Sequence, residues 1–159
     1  MVYLFDEKDN ILDSAAVTNG VFRFEGVAEK PQAAILRDAR DDGATFGAML
    51  ILEPGTINVT DDAQNPYRKK VTGTPANDAS DAYSVASRTL IKEYRDQATT
   101  DERREAIEKE FEQLTLTTID NNRDNFFGVV LMPNRAYELS GQETLDEIAK
   151  FSPEMQQTK

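Results

Sequence analysis

The stretch "VTGTPANDASDAY", residues 71–83, marks the point where the chain changes from a strand pattern to a helix pattern. Thr74 followed by Pro75 is typical of a helix start, because threonine caps well and proline tolerates the first helical position. From there apolar side chains recur every three or four residues, which predicts an amphipathic helix: Ala79, Tyr83, Ala86, Leu90 and Tyr94. We therefore predict an α+β chain, with an antiparallel β-subdomain over residues 1–73 and a helical subdomain over residues 74–159.

Upstream of that point, "SAAVTNGVFRFEG", residues 14–26, predicts a β-hairpin. Asn19 and Gly20 favour a type I′ turn, because both central residues of that turn need positive φ. Counting outward from the turn places four side chains on one face, which we assign to the core rather than to a ligand site: Ala15, Val17, Phe22 and Phe24. The hairpin is therefore predicted to be scaffold.

The same strand pattern continues on both sides of this hairpin. "AAILRD" and "YRKKVTG" are strand-like. "VYLF" and a run beginning at Ile11, joined by a polar turn at Glu7 to Asn10, predict another hairpin, and "AMLILEPGTINVT" predicts a further one. Its turn contains Pro54 and Gly55, which suit the two central positions of a type II turn. In total about seven short strands are predicted in the first 73 residues, as in a β-sandwich or a curled antiparallel sheet.

Three more helices are predicted downstream of the first. "TTDERREAIEKEFEQL" begins with a capping box formed by Thr99 and Glu102. "FFGVVLM", residues 126–132, is assigned to a helix capped by Asp124 or Asn125, and Ser140 with Glu143 opens a short fourth helix. The final "SPEMQQTK" is expected to trail off with no core of its own.

Composition limits the classes of function. The chain has 159 residues, enough for one domain or two small subdomains, and its 29 acidic and 18 basic residues leave a net charge of −11. This charge repels nucleic acids and anionic lipid surfaces at long range, so a role in binding DNA, RNA or a membrane surface is disfavoured. No run approaches the roughly 18 apolar residues of a membrane span, and the N-terminus has no signal-peptide pattern.

The chain contains neither cysteine nor histidine. Without cysteine there is no thiolate nucleophile, disulfide or cysteine-ligated metal site. Without histidine the commonest general base near neutral pH is also absent. We therefore predict a non-enzyme, with no catalytic, cofactor-binding or metal-binding residues and no cofactor.

Three charged groups could nevertheless suggest a site. Carboxylates spaced along one helix could form an acid–base pair or bind a hard cation, although a solvated helix face is the favoured interpretation. In "DEKDN" every second residue is polar, as the ligands of a calcium-binding loop are. However, a lysine stands in one ligand position, and the glycine and the distal glutamate that such a loop requires are missing. A basic trio could bind phosphate or an acidic partner, although a charged strand edge is favoured. The groups are Glu105, Glu108 and Glu112 with Arg104 and Lys109; Asp6, Lys8 and Asn10; and Arg68, Lys69 and Lys70.

The order "LFDEKDNILDSAAVTNGVFRFEGVAEKPQAAIL", "LILEPGTINVT" and "VTGTPAND" resembles a domain of unknown function, DUF4369-like. This domain precedes the thioredoxin domain in envelope thiol:disulfide oxidoreductases of the TlpA/ResA type. The resemblance covers nearly the whole chain and rests mainly on turn glycines and core residues. The matching positions are Asp13, Asn19, Gly20, Phe22, Phe24, Gly26, Pro31, Ile35, Gly55, Ile57, Val59, Gly73 and Asn77.

The resemblance implies a non-catalytic N-terminal module located in the periplasm or cell envelope. Its partner would be a downstream thioredoxin-like domain, which carries the family's Cys-x-x-Cys motif and is missing from this chain, or another protein. Two other classes stay open: an independent β-module that binds a glycan or peptide, and a hydrolase that uses a carboxylate pair.

Charge is distributed unevenly between the predicted subdomains. Residues 74–159 carry 17 acidic and 10 basic side chains, whereas residues 1–73 carry 12 and 8. A surface of one sign steers complementary partners and orients them. We therefore expect the functional surface to lie on or beside the helical part, with a merely solubilising surface as the alternative.

Overall fold

The computed structural model describes residues 1–39 and 46–158. The chain divides into two units, Met1–Asn77 and Asp78–Lys159. The first unit contains the described strands and the second contains most of the helical residues. The division falls in the first turn of the first helix.

The described part of the first unit contains six strands in two antiparallel sheets. The four-stranded sheet has the order β2-β1-β3-β4, and β5 pairs with β6 in a separate two-stranded sheet. The predicted sandwich of about seven strands is therefore not confirmed. The strands are β1 (Val2–Phe5), β2 (Ile11–Ala15), β3 (Gln32–Arg37), β4 (Gly47–Leu52), β5 (Asn58–Asp61) and β6 (Lys69–Thr72).

A hydrophobic core covers one face of the four-stranded sheet. Alternate residues of β1, β3 and β4 supply it, because side chains two apart on a strand share a face. The buried members are Val2, Leu4, Ala34, Leu36, Ala48 and Leu50, joined by Val71 of β6. Half-buried side chains packed against them are Phe22, Phe24, Phe46, Leu52, Ile57 and Val59.

The predicted hairpin at residues 14–26 is correct at its turn and wrong in its strands. Asn19 and Gly20 both have positive φ, and Thr18 and Val21 exchange two backbone hydrogen bonds of 2.9 and 3.0 Å. That bridge is isolated: Ala15 pairs with β1 instead, and residues 16–17 and 22–26 belong to no strand. The two phenylalanines after the turn still pack on the core, as predicted, with ring centroids 5.9 Å apart, whereas Val17 is exposed.

The predicted hairpin around Pro54 and Gly55 is also different in the structure. Its two arms are β4 and β5, which belong to different sheets: β4 pairs with β3, and β5 pairs with β6. The turn therefore carries the chain from one sheet to the other. Gly55 has φ of 136°, and a Cβ there would lie 2.7 Å from Cγ2 of Thr74.

Four α-helices and one 3-10 turn are present among the described residues. The third helix is capped by Asn125, and Ser140 forms the predicted capping box with Glu143. Within the described ranges, no helix has both the length and the hydropathy that a bilayer crossing requires. The helices are α1 (Pro75–Arg95), α2 (Asp101–Asn121), α3 (Phe126–Ala136) and α4 (Gly141–Ile148), and the 3-10 turn is Met155–Gln157.

Two details of the predicted helices need correction. The N-cap of α2 is Thr100, whose hydroxyl accepts a hydrogen bond from the backbone N–H of Arg103, whereas the Thr99 hydroxyl donates to the carbonyl of Glu93. The segment "SPEMQQTK" does not trail off without a core, because its Met155 is buried, as is Phe151 just before it. Their apolar side chains remove surface from water, which sequence periodicity over so short a segment does not reveal.

Candidate functional site

The segment "DEKDN", which partly resembles a calcium loop, forms a turn that is stabilised by hydrogen bonds to its first residue, Asp6. One carboxylate oxygen of Asp6 accepts the backbone N–H groups of Lys8 and Asn10, both at 2.8 Å, and the other accepts the Asn10 amide at 2.9 Å. These bonds, above all those from Asn10, lower the pKa of Asp6. The residues thus stabilise the β1–β2 turn, and no group of acidic residues within the described ranges has the arrangement of a metal site.

The basic trio does not form one cationic patch. Arg68 is buried and pairs with Asp62 at 2.6 Å. Lys69 pairs with Asp61 and lies 4.9 Å from the ring centre of Phe46. Lys70 is exposed, so successive members of the trio occupy different environments. Two of the three basic side chains therefore form ion pairs with acidic residues of the β5–β6 hairpin.

The three glutamates of the predicted ladder are separated by their surroundings. Glu108 accepts a hydrogen bond from the Tyr94 hydroxyl at 3.1 Å, and Glu112 lies 3.8 Å from Arg135. Both border cavities in the helical unit, whereas Glu105 is exposed and borders neither cavity. Glu108 and Glu112 therefore share the lining of one cavity, and Glu105 is not part of it.

The best candidate site is a cavity of about 370 Å³ between the end of α1 and the middle of α2. Its surface is mostly apolar, and two of its side chains are also accessible to solvent: Ile91 is 37% exposed and Tyr94 is 38% exposed. This volume lies within the range of small-molecule and side-chain pockets. The lining residues are Ile91, Tyr94, Arg95, Ile107, Glu108 and Phe111.

A second cavity of about 170 Å³ adjoins the first, because both share Glu108 and Phe111. It continues along α2 to Leu116 and is bordered on its other side by α3 residues such as Arg135. We call the two cavities together the α2 groove. The groove combines an apolar floor with carboxylates at its edge.

A network of contacts positions the helices that form the α2 groove. Arg103 of α2 contacts both carboxylate oxygens of Glu93 of α1, at 2.7 and 3.0 Å, and also pairs with Glu110. Tyr83 of α1 donates to or accepts from the Thr115 hydroxyl at 3.0 Å, and its ring packs edge-on against Phe111. These contacts hold α1 beside α2 at both ends of the groove.

Two ionisable side chains in and beside the groove have shifted pKa values. The Arg103 guanidinium lowers the pKa of Glu93, because its hydrogen bonds stabilise the charged carboxylate. The carboxylate of Glu108 raises the pKa of Tyr94, since ionising the phenol beside a negative charge is unfavourable. At neutral pH the Tyr94 side chain is therefore a neutral phenol.

The lowered pKa values predict acid sensitivity. A carboxyl group whose pKa is lower when folded contributes stability above its unfolded pKa and loses it as the pH falls. We expect the free energy of unfolding in urea to be level down to about pH 5 and to decrease below it. Arg103→Gln should make this decrease shallower, because Glu93 loses the partner that lowers its pKa. Arg88→Gln, which changes an exposed arginine of α1, should leave the decrease as it is. If stability falls equally with pH in both variants, Arg103 does not stabilise the ionised Glu93. The carboxyl groups with a lowered pKa are Asp6, Asp62, Glu93, Glu102, Glu143 and Glu147.

Sequence reasoning identified the apolar helix faces but not the groove. The periodicity puts three of the groove's side chains on apolar helix faces, which usually pack in a core: Tyr94, Ile107 and Phe111. Only Ile107 of these is fully buried. One feature of the sequence could have indicated the groove. Tyr94 is an aromatic residue at the end of α1, next to the connecting turn, where a side chain is less completely covered than in the middle of a helix.

Comparison with known proteins assigns the chain to a family of domains. No curated protein and no solved structure matches the chain. The family model described as "Domain of unknown function (DUF4369)" matches residues 1–80, just over half of the chain, which include all six described strands and the start of α1. The chain therefore belongs to the DUF4369 family of domains of unknown function.

Proposed function

We propose that this chain is a non-catalytic N-terminal module of a TlpA/ResA-type envelope thiol:disulfide oxidoreductase. In that role it positions the thioredoxin domain or recognises a partner protein. The DUF4369 match over residues 1–80 and the order of motifs that resembles such oxidoreductases support the proposal. Thiol–disulfide exchange proceeds through a mixed disulfide, so a chain without cysteine must leave that chemistry to another domain.

The observation that carries a recognition role is the α2 groove. Apolar side chains that remain accessible along a groove are typical of interaction sites rather than of ordinary surface. Ile91 and Tyr94 are such side chains, and they lie next to the charged Glu108. The acidic excess of residues 74–159 would steer a complementary partner toward this part of the chain.

An independent ligand-binding β-module is the second candidate. It is favoured by β2, which lies at the edge of the four-stranded sheet and exposes Ile11 and Leu12. An extended peptide can add to such an edge. Against it, Asp13 already accepts the backbone N–H of Ser14 at 2.7 Å, which reduces the hydrogen-bonding capacity of that edge.

The proposal is tested on the protein as the cell makes it. An antibody raised against the purified chain recovers the native gene product, whose mass, cell fraction and thiols are then measured. We expect an envelope protein heavier than 17.8 kDa that carries a pair of alkylatable cysteines. The purified chain itself should not accelerate insulin reduction by dithiothreitol. A native product without cysteine, or one located in the cytoplasm, would contradict the proposal.

A further inference from the structure

We infer that the α2 groove binds an amphipathic helix of a partner protein, with apolar side chains on the groove floor and lysine or arginine beside Glu108 and Glu112. This inference rests on the proposed recognition role and specifies the chemistry of the partner. It follows from the shape, the apolar lining and the charges of the groove.

The length of the groove matches a helical ligand. Its α2 side runs from Ile107 to Leu116, which corresponds to about 14 Å at the rise of an α-helix. A helix bound in such a groove presents anchors at positions i, i+3, i+4 and i+7, which span about 10 Å and so fit within this length. The two adjoining cavities therefore provide places for successive anchor side chains on one face of a helix.

The floor of the groove favours apolar anchors. Ile107 is buried and Phe111 is half-buried, while Ile91 and the ring of Tyr94 border the larger cavity from α1. The Tyr94 hydroxyl is already used by Glu108. Filling this cavity with leucine-like side chains removes apolar surface from water on both partners, which supplies most of the affinity in this type of interface.

The charges along the edge favour a basic ligand. Glu108 is contacted by a neutral hydroxyl, and Glu112 lies 3.8 Å from Arg135, which forms a shorter contact of 2.6 Å with Glu138. The larger cavity has a positive charge on its α1 side, at Arg95, and a negative charge on its α2 side, at Glu108. Glu112 adds a second carboxylate on α2 in the smaller cavity. A lysine or arginine next to the apolar anchors would pair with these carboxylates and set the orientation of the bound helix.

The test measures binding of a synthetic peptide to the full 159-residue chain. The probe is a fluorescently labelled, end-blocked peptide of about four helical turns, with leucine on one face and lysine on the other. The comparison peptide has glutamate in place of every lysine. We expect the lysine peptide to bind and the glutamate peptide to bind at least about tenfold more weakly, because like charges would meet along α2.

Matched variants separate the groove from general charge attraction. Glu108→Lys and Glu105→Lys change the net charge equally and lie on the same helix, but only Glu108 borders the groove. We expect about tenfold weaker binding for Glu108→Lys and less than about twofold for Glu105→Lys. Ile91→Ser, at a partly exposed position, should also weaken binding several-fold with no change in the peptide's charge preference.

Each other outcome overturns the inference. Equal losses for the two lysine variants would show nonspecific charge attraction, and equal binding of both peptides would show that charge does not select the ligand. Absence of binding, or binding only to vesicles of anionic lipid, would exclude the helix as the occupant. Circular dichroism confirms that every variant is folded. The oxidoreductase proposal is judged separately, by the thiols and location of the native protein, so either can fail alone.

Discussion

Replacing Gly73 with alanine is expected to lower the free energy of unfolding by about 3 to 5 kcal/mol. Gly73 follows β6 and has φ of 105°, a backbone conformation that side chains with a Cβ rarely adopt. A Cβ at this position would lie 2.3 Å from the backbone oxygen of Thr56 and 2.7 Å from the Asn58 side-chain amide. The backbone oxygen cannot rotate away, so the β5–β6 pair and the start of α1 must shift.

Urea denaturation followed by circular dichroism measures this effect. Gly26→Ala is the matched control, because a Cβ at Gly26 would have no neighbour within 4 Å. It should change stability by less than about 0.5 kcal/mol. Similar midpoints for the two variants would show that the close approach at Gly73 is not required for folding.

Replacing Asn77 with alanine is expected to cost about 2 to 4 kcal/mol. Asn77 is 1% exposed, and its side chain accepts the Ile51 N–H at 2.8 Å and donates to the Ile51 carbonyl at 2.7 Å. It also donates to the Thr74 hydroxyl at 2.8 Å. The side-chain amide therefore pairs with the backbone of β4 as a neighbouring strand would. Alanine would leave both Ile51 backbone groups buried without a partner.

The Asn77→Asp variant identifies which hydrogen bonds matter. A carboxylate can still accept the Ile51 N–H but would face the Ile51 carbonyl without a proton to donate. Burial raises the pKa of such a carboxyl group, so this variant should lose stability as the pH rises from about 4 to 7. Asn134→Ala, at an exposed position of α3, serves as the control in the same urea series. A pH-independent Asn77→Asp variant would argue against the buried amide–backbone pairing.

These two residues explain part of the family motif in physical terms. The backbone N–H of Ala76 donates to Glu53 at 2.9 Å, next to the Asn77 contacts with Ile51. Gly73 allows the chain to pass close to Thr56 just before α1 begins. The glycine and asparagine of "VTGTPAND" thus attach the first turn of α1 to β4 within the first unit. Their role is structural, and the DUF4369 match ends just after them.

Features that depend on neighbouring residues were predictable from the sequence. The turn at Asn19 and Gly20 and the capping box at Ser140 were predicted in place, and Asn125 is one of the two caps predicted for α3. Each depends on positive φ or on a hydrogen bond between residues two or three apart. The absence of cysteine likewise determined that this chain alone cannot carry out thiol exchange.

Pairing between distant segments was decided only by the tertiary structure. Ala15 was predicted to face Phe24 across the turn at Asn19 and Gly20, but it pairs with Val2 of β1 instead. Strand formation depends on such nonlocal partners more than on intrinsic propensity. The α2 groove has the same origin: periodicity identifies an apolar helix face, but only packing determines whether Tyr94 and Phe111 enclose a core or border an open cavity.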